Sequence, residues 1–239
     1  MPSITLEAPE NIAWEVGSKV SPTYKITFNP GSYSYGPDTG ITVVEDSYKV
    51  VATDIADEGA FKTTEGTFPE IEVTDETSYY ITASLTHTQG DLPLTNLNNA
   101  ANGRIPSNTI STSSTELKGY RSFFYGMDNT NEEITGDYIR EHLTNGGIYN
   151  SQKKLIFDVS ELTDAVRFII AVPADSTRSG LVNAIILTSL NANVTKEYKE
   201  LDAFVPVEGA NNYKAANYKL WVYQPASIAE NEVHVVTLS

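Results

Sequence analysis

Three histidines have the widest chemical range of any side chains in this sequence, because imidazole near neutral pH acts as an acid, a base or a metal ligand. They are His87, His142 and His234, and long stretches of sequence separate them. None stands at the short spacing of a metal-binding motif such as HExxH. We interpret them as polar or interface histidines, with a metal or catalytic role as the alternative.

Two acidic clusters are the candidates for cation binding or hydrolytic chemistry. Asp54, Asp57 and Glu58 form the first cluster, and Glu70 and Glu72 form the second. A cation such as Ca²⁺ takes oxygen ligands from defined loop positions, and the EF-hand spacing is not met here. We interpret the first cluster as a solvated turn, with a calcium site as the alternative. A glycosidase needs two carboxylates facing each other across a cleft, and the sequence singles out no such pair.

No nucleophile motif or nucleotide-binding motif is present. The string nearest to GxSxG runs over residues 31–36, where the spacing is wrong and no strand–turn–helix context surrounds it. P-loop and GxGxxG patterns are missing. Cysteine is absent, which excludes disulfides, thiolate zinc sites and cysteine nucleophiles. We therefore expect a protein that is not an enzyme, with no catalytic residues, no bound metal and no cofactor.

Aromatic side chains are the remaining candidates for binding. Tyr33 and Tyr35 lie in a loop, Asn29–Gly40, whose prolines and glycines restrict the conformations of the free chain. Tyrosine brings contact area and a hydroxyl group at a low entropy cost, so the loop is predicted to contact a protein neighbour or a glycan. The alternative is that both rings fold back over an open end of the core.

The two tryptophans, Trp14 and Trp221, are further candidates for binding contacts. Trp221 alternates with Leu220 and Val222 in a strand pattern, so its side chain lies on the opposite face of the sheet. That face is a surface, a subunit interface or the core of a sheet that is buried on both sides. In a multimer, Trp14, Trp221 and the aromatic cluster at residues 120–125 would supply apolar contact area.

The elements that must position these residues are strands. Apolar and polar residues alternate over residues 24–28 and, most clearly, over residues 79–86. Residues 166–172 form an almost continuous apolar run, which is typical of a strand at the centre of a sheet. Short strands separated by Gly, Pro, Asn and Asp predict an all-β fold of two immunoglobulin-like β-sandwich units. The Cys–Trp–Cys signature of true immunoglobulin domains is missing.

A stretch rich in Asn, Ser and Thr, residues 96–119, is the best candidate for a domain boundary. We predict an N-terminal immunoglobulin-like β-sandwich over residues 1–112. A C-terminal domain that resembles a β-sandwich follows over residues 113–239. The alternative is a single domain in which this stretch is a long surface loop.

One short helix is predicted in the second domain, over residues 135–144. Thr135 is a suitable N-cap, and Asp137 favours the first turn. The glycines at 146–147 provide a stop signal after it.

The charge of the chain restricts its partners. The formal net charge is −15, which favours solubility and discourages anionic partners. No basic patch is visible, so we expect no nucleic-acid binding. No apolar run approaches about 20 residues, so we expect no membrane insertion. The start, Met1–Ile4, shows no secretory leader as written, which indicates either that a leader was removed or that the protein is assembled in a cytoplasm.

Several strings spread over almost the whole chain carry a family resemblance. They read VGSKV at 16–20, NPGSYSYGPDTG at 29–40, GYRSFFYG at 119–126 and VEGANNY at 207–213, followed by YKLWVY at 218–223. Together they resemble virion structural proteins of tailed phages that infect gut bacteria, including crAss-like phages. None is a catalytic motif, so the resemblance implies a structural setting. It leaves open a capsid decoration or head-fibre protein and a tail or baseplate component.

The resemblance also implies partners and a location. The partners would be other virion proteins and copies of the same chain, with a host-surface glycan or protein as a further option. The location would be the virion, assembled in the host bacterial cytoplasm. The rival interpretation is a bacterial cell-surface adhesin of the fimbrillin-like kind or a carbohydrate-binding β-sandwich protein, because β-sandwiches serve both roles. A glycan hydrolase on a β scaffold is the third option.

Overall fold

The chain folds mostly as β-strands with one α-helix in its described part, so the predicted all-β class is confirmed. The structure is a computed structural model, and it describes residues 1–7, 13–33, 38–52, 63–75, 78–93, 103–114, 116–130, 132–149, 154–158, 167–174, 182–187, 191–224 and 233–238.

Two compact units make up the chain. The first holds Met1–Trp14 and Lys19–Gly119, and the second holds Glu15–Ser18 and Tyr120–Ser239. The short segment Glu15–Ser18 therefore belongs with the second unit, although the chain on both sides of it belongs to the first.

The first half of the chain contains short strands in small sheets. Three sheets have the orders β1-β4-β6, β10-β9-β5 and β2-β11-β8, and β3 pairs with β7. The strands are β1 (Ser3–Glu7), β2 (Ala13–Glu15), β3 (Lys19–Val20), β4 (Thr23–Asn29), β5 (Lys49–Ala52), β6 (Glu65–Thr67), β7 (Ile71–Glu72), β8 (Ser78–Tyr79), β9 (Ile81–His87), β10 (Asn108–Ser113) and β11 (Leu117–Tyr120).

The core of the first unit combines strands from three of these sheets. Ile26 of β4 belongs to the same buried cluster as Val50 of β5 and Ile81 and Ala83 of β9. The period-two pattern of β9 explains this, because its apolar residues are buried while Thr82 and its alternating neighbours are half-exposed. The cluster also contains Tyr24, Ala52, Phe68, Tyr79 and Leu117.

The Ser/Thr-rich stretch that was expected to link two domains contains strand β10 instead. The predicted boundary after residue 112 falls inside this strand, and the contacts divide the chain after Gly119. Within β10, Ser111 and Ser113 are exposed while Ile110 is half-buried. This alternation is typical of a strand with one solvent-exposed face. Hydroxyl side chains suit both loops and exposed strand faces, so composition could not separate the two.

The second half of the chain forms two larger sheets. One has the order β13-β12-β15-β20-β18, with β19 also paired to β20, and the other has the order β14-β21-β16-β17. The elements are β12 (Ser122–Asp128), α1 (Gly136–His142), β13 (Thr144–Ile148), β14 (Lys154–Asp158), β15 (Arg167–Pro173), β16 (Val182–Leu187), β17 (Ala192–Asn193), β18 (Tyr198–Glu200), β19 (Val205–Val207), β20 (Ala216–Tyr223) and β21 (Val233–Leu238).

The larger sheet of the second unit is buried on both faces. On one face, Ile170 and Trp221 cluster with Val236 of β21. On the other face, Ile169 and Leu220 cluster with residues of α1 and β19. The uninterrupted apolar run in β15 follows from this, and the predicted central position of that strand, between β12 and β20, is confirmed.

Helix α1 confirms the predicted helix. The Thr135 hydroxyl accepts a hydrogen bond from the Tyr138 amide at 3.1 Å, so Thr135 is the N-cap. The helix ends at His142, before the expected glycine stop, because residues 144–148 continue as strand β13. Gly146 lies so close to the Phe123 ring that an added Cβ would be 2.1 Å from it. This glycine therefore serves packing. No helix in the described ranges is long and apolar enough to cross a membrane.

Candidate functional site

The loop predicted as a contact surface, which we call the 29–40 loop, lies in the first unit. The structure describes its two arms, residues 29–33 and 38–40. Ser32 and Asp38 form an isolated antiparallel bridge that joins the two arms. The loop is therefore a closed structure and not an open connection between strands.

Tyr33 anchors this loop to a second loop. Its ring is half-buried, and its hydroxyl donates a hydrogen bond to the Asp91 carbonyl oxygen at 2.7 Å. The Asp91 amide donates to the Thr39 carbonyl oxygen at 2.8 Å. The buried Thr39 hydroxyl donates to the Pro30 carbonyl oxygen at 3.2 Å. Both arms of the 29–40 loop are therefore tied to residue 91.

Two glycines allow the arms to approach their neighbours closely. Gly31 has a φ of +73°, and an added Cβ would lie 2.7 Å from the Met1 carbonyl oxygen. Gly40 has a φ of +63°, and an added Cβ would lie 2.1 Å from the Asp91 carboxylate. Both positions favour glycine through their positive φ, and at Gly31 the Met1 backbone also leaves no space for a side chain, so the two turns restrict the loop.

The outer surface of the loop region combines polar groups with one apolar side chain. Ser32, Asp38 and Asp91 are exposed, and Leu92, adjacent to Asp91 in the chain, is 41% exposed. These groups offer hydrogen-bond acceptors and apolar contact area.

Trp14 and Tyr35 are the other two aromatic candidates of the first unit. Trp14 is half-buried and stacks on Tyr79, with ring centroids 6.3 Å apart and planes inclined by 9°. Its remaining exposed area leaves it available as a contact residue. Tyr35 lies outside the described residues, so its contact role stays a prediction.

Trp221 lies in the core of the second unit and not on a contact surface. Its side chain is 3% exposed, in the cluster between the two sheets. Alternation along β20 could not reveal this, because both faces of that strand are covered. The aromatic cluster at 120–125 is divided in the same way: Phe123 and Phe124 are buried in the clusters on opposite faces.

Two of the three histidines are buried and hydrogen-bonded. His87 is 2% exposed, and its Nδ1 lies 2.9 Å from the Thr88 carbonyl oxygen, which can only accept a hydrogen bond. His234 is fully buried, with its Nδ1 2.9 Å from the Tyr198 hydroxyl. The third, His142, is exposed and stacks on Tyr138. The two buried imidazoles serve packing and hydrogen bonding within the fold.

A buried ion pair that the sequence did not reveal lies at the end of β12. The Asp128 side chain is fully buried and pairs with the Arg167 guanidinium at 2.5 Å. Asp128 also accepts hydrogen bonds from the Tyr138 hydroxyl at 2.6 Å and from the Thr130 hydroxyl at 2.7 Å. Arg167 in turn donates to the Glu132 carbonyl oxygen. The pair fixes β12, β15 and α1 to one another.

The environment of Asp128 keeps its carboxyl group ionised. Burial by itself raises the pKa of Asp128. The hydrogen bonds from Tyr138, Thr130 and Arg167 outweigh burial and hold the pKa well below its usual range. The carboxylate is therefore charged at neutral pH, and the partners that the described residues provide for it all belong to the second unit.

Three of the strings that carry the family resemblance meet in the second unit. The Val16 amide donates to the Tyr120 carbonyl oxygen, and the Val16 carbonyl oxygen accepts from the Ala210 amide, each at 2.8 Å. The Asn211 side chain donates to the Gly17 carbonyl oxygen at 2.9 Å. These contacts insert the 15–18 segment between residue 120 and residues 210–211.

Side chains hold the same segment. Arg140 of α1 forms an ion pair with Glu15 at 2.8 Å and donates to the Glu208 carbonyl oxygen at 2.9 Å. The Asn145 side chain donates to the other Glu15 oxygen at 3.2 Å. Gly17 has a φ of +85°, and an added Cβ would lie 1.9 Å from the Ala210 carbonyl oxygen. The string VGSKV thus includes a glycine that backbone packing requires.

The acidic clusters add no further site to the described structure. Asp54, Asp57 and Glu58 lie outside the described residues, while Glu70 and Glu72 are exposed. Across the described ranges, no group of three or more His, Asp and Glu residues is placed to hold a metal ion. No protein-family model matches the chain, and neither a curated protein nor a solved structure matches it significantly. The proposed function therefore rests on the residues and their contacts.

Proposed function

We propose that this chain is a non-enzymatic structural protein of a bacteriophage virion that acts through protein–protein contacts. One observation carries the proposal: the strings that resemble gut-phage virion proteins coincide with backbone packing positions. Val16 and Gly17 make close backbone contacts with the 207–213 string in the second unit. Such positions are what a family would share if its members had a common scaffold and no common catalytic site.

We further propose that the two units are immunoglobulin-like β-sandwiches. In the first unit, one buried cluster draws residues from the β1-β4-β6, β10-β9-β5 and β2-β11-β8 sheets. In the second, one cluster draws residues from the β12–β15–β20 sheet and the β14–β21 sheet. Helix α1 and β19 cover the outer face of the larger sheet. A buried core shared by separate antiparallel sheets in each unit supports the sandwich assignment.

The contact surface in this proposal includes the 29–40 loop and Trp14. The hydrogen bonds of Tyr33 and Thr39 fix the loop before any partner arrives, so binding orders few additional bonds. The partner would be another virion protein or a further copy of this chain, in a capsid decoration, head-fibre, tail or baseplate position.

A carbohydrate-binding or adhesive protein of the bacterial cell surface is the second candidate. One observation favours it: the half-buried Tyr33 ring lies in a loop with exposed Asp38, and its hydroxyl donates to the backbone carbonyl oxygen of exposed Asp91. An aromatic ring with carboxylate acceptors nearby is suited to a sugar.

Immunogold electron microscopy distinguishes the two candidates. Antibodies raised against the purified chain should label purified phage particles at a defined place, and this place also separates head from tail. Label on the surface of uninfected bacterial cells, with none on particles, would replace the virion proposal by the adhesin.

A further inference from the structure

Strand β14 is a regular strand at the edge of its sheet. Its residues Lys154–Asp158 pair antiparallel with β21 in an unbroken register, in which Ile156 stands opposite Val235. Among the described residues, no strand pairs with the other side of β14. A regular edge strand presents a row of backbone donors and acceptors to which another strand can be added.

Ile156 gives this edge an apolar centre. It is 71% exposed, more than any other large apolar side chain in the described ranges except Met1. The exposure follows from the pleat: Leu155 points into the core and is 5% exposed, so Ile156 points outwards. Val235, its partner across the sheet, is half-buried on the same outer face. An exposed apolar edge of this kind is a surface for association.

We propose that β14 pairs antiparallel with the β14 of a second copy of this chain, about a two-fold axis at Ile156. In this register Ile156 faces Ile156, and residue 155 faces residue 157. Residue 154 faces residue 158 at both ends, so a lysine stands opposite an aspartate twice. Opposite charges directly across an antiparallel pair are favourable, and like charges are unfavourable.

This charge pattern selects a second copy as the occupant. A strand that fits here needs an acidic residue opposite Lys154, a basic residue opposite Asp158 and apolar residues between them. The sequence KLIFD meets these requirements when it is read in the opposite direction. The contact is isologous, and two-fold dimers with isologous interfaces are the commonest homo-oligomers.

Two other edge strands lack these features. Strand β13 contains Gly146 and Gly147, and its register with β12 is irregular. Strand β10 exposes hydroxyl groups, including those of Ser111 and Ser113. The β14 interface goes beyond the proposed function and does not depend on it, because a cell-surface protein could form the same dimer.

Sedimentation velocity over a concentration series tests the interface, at about 0.15 M salt to screen the repulsion between two acidic chains. The wild-type chain should sediment as a dimer of the 26.2 kDa protein at high concentration. Ile156→Lys places two like charges at the two-fold axis and should raise the dissociation constant at least about tenfold. Ile148→Lys, at an exposed isoleucine on edge strand β13, is the matched control and should leave it unchanged.

Charge-reversal variants provide a second test of the interface. Lys154→Asp and Asp158→Lys should each weaken the dimer, because each places like charges opposite each other, and the double variant should restore it. A wild-type chain that stays monomeric overturns the proposal. A dimer that Ile156→Lys leaves intact, or single charge variants that the double variant does not rescue, also overturns it. These results are independent of whether the protein is found in virions.

Discussion

The Tyr33 hydroxyl and the Asp91 carbonyl oxygen lie 2.7 Å apart, and their hydrogen bond joins two loops of the first unit. The same residue 91 binds the other arm of the 29–40 loop through its amide. Tyr33 therefore has a structural role as well as the contact role that its position in the loop predicts. The two roles can be separated because the hydroxyl makes the internal bond while part of the ring stays exposed.

Tyr33→Phe should destabilise the first unit by about 1 kcal/mol, the net contribution of one hydrogen bond. Tyr79→Phe is the matched control, because the Tyr79 hydroxyl has no hydrogen-bond partner in the described structure. We expect the control to be neutral or slightly stabilising in urea unfolding. Equal effects of the two substitutions would mean that the Tyr33 bond does not contribute.

Tyr79 also predicts a difference at alkaline pH. Burial raises the pKa of Tyr79 to about 12 from its usual value of 10.0. Because the folded state favours the neutral phenol, this group contributes stability that is present below pH 10 and is lost as the pH rises towards 12. Tyr79→Phe should therefore lose less stability than the wild type over this range. Parallel curves of melting temperature against pH would contradict the prediction.

Asp128→Asn should destabilise the second unit by about 3 kcal/mol, because it leaves the largely buried Arg167 guanidinium without its countercharge. The pKa of Asp128 is depressed in the folded state, so its contribution is present above the unfolded value and is lost as the pH falls below about 4. The variant should lack this part of the acid dependence. Glu132→Gln, at an exposed carboxylate in the same region, should behave as the wild type.

Gly17→Ala tests the insertion of the 15–18 segment. The added methyl group is unfavourable at a positive φ and would clash with the Ala210 carbonyl oxygen. We therefore expect the free energy of unfolding to fall by more than about 2 kcal/mol. Gly147→Ala is the control within the same unit, because Gly147 has a φ of +73° but open space around its Cα. The control substitution should lower the free energy of unfolding by about 1 kcal/mol. If Gly17→Ala costs no more than the control, the close approach is not significant for stability.

The sequence predicted those features that depend on neighbouring residues. Thr135 could be identified as an N-cap because its partner, the Tyr138 amide, lies three residues away. The alternating strand β9 and the apolar strand β15 could be predicted from their periodicity. In contrast, the Asp128–Arg167 pair joins residues 39 apart, and only the pairing of β12 with β15 brings them together.

The candidate site was predictable only in part, for the same reason. The turn residues of the 29–40 loop indicated a preorganised loop, but the role of Asp91 depends on how two distant loops pack. The burial of Trp221 depends on a second sheet that packs over β20, and the sequence of β20 alone cannot predict that packing. The Ser/Thr run was ambiguous because hydroxyl side chains occupy both loops and exposed strand faces.

Quantitative mass spectrometry of phage particles purified by density gradient tests the virion proposal most directly. We expect peptides of this chain to co-purify with the major capsid protein at a fixed copy ratio through successive gradients, and to remain after a high-salt wash. Loss of the chain from particles, with recovery in the envelope fraction of uninfected bacterial cells, would contradict the account.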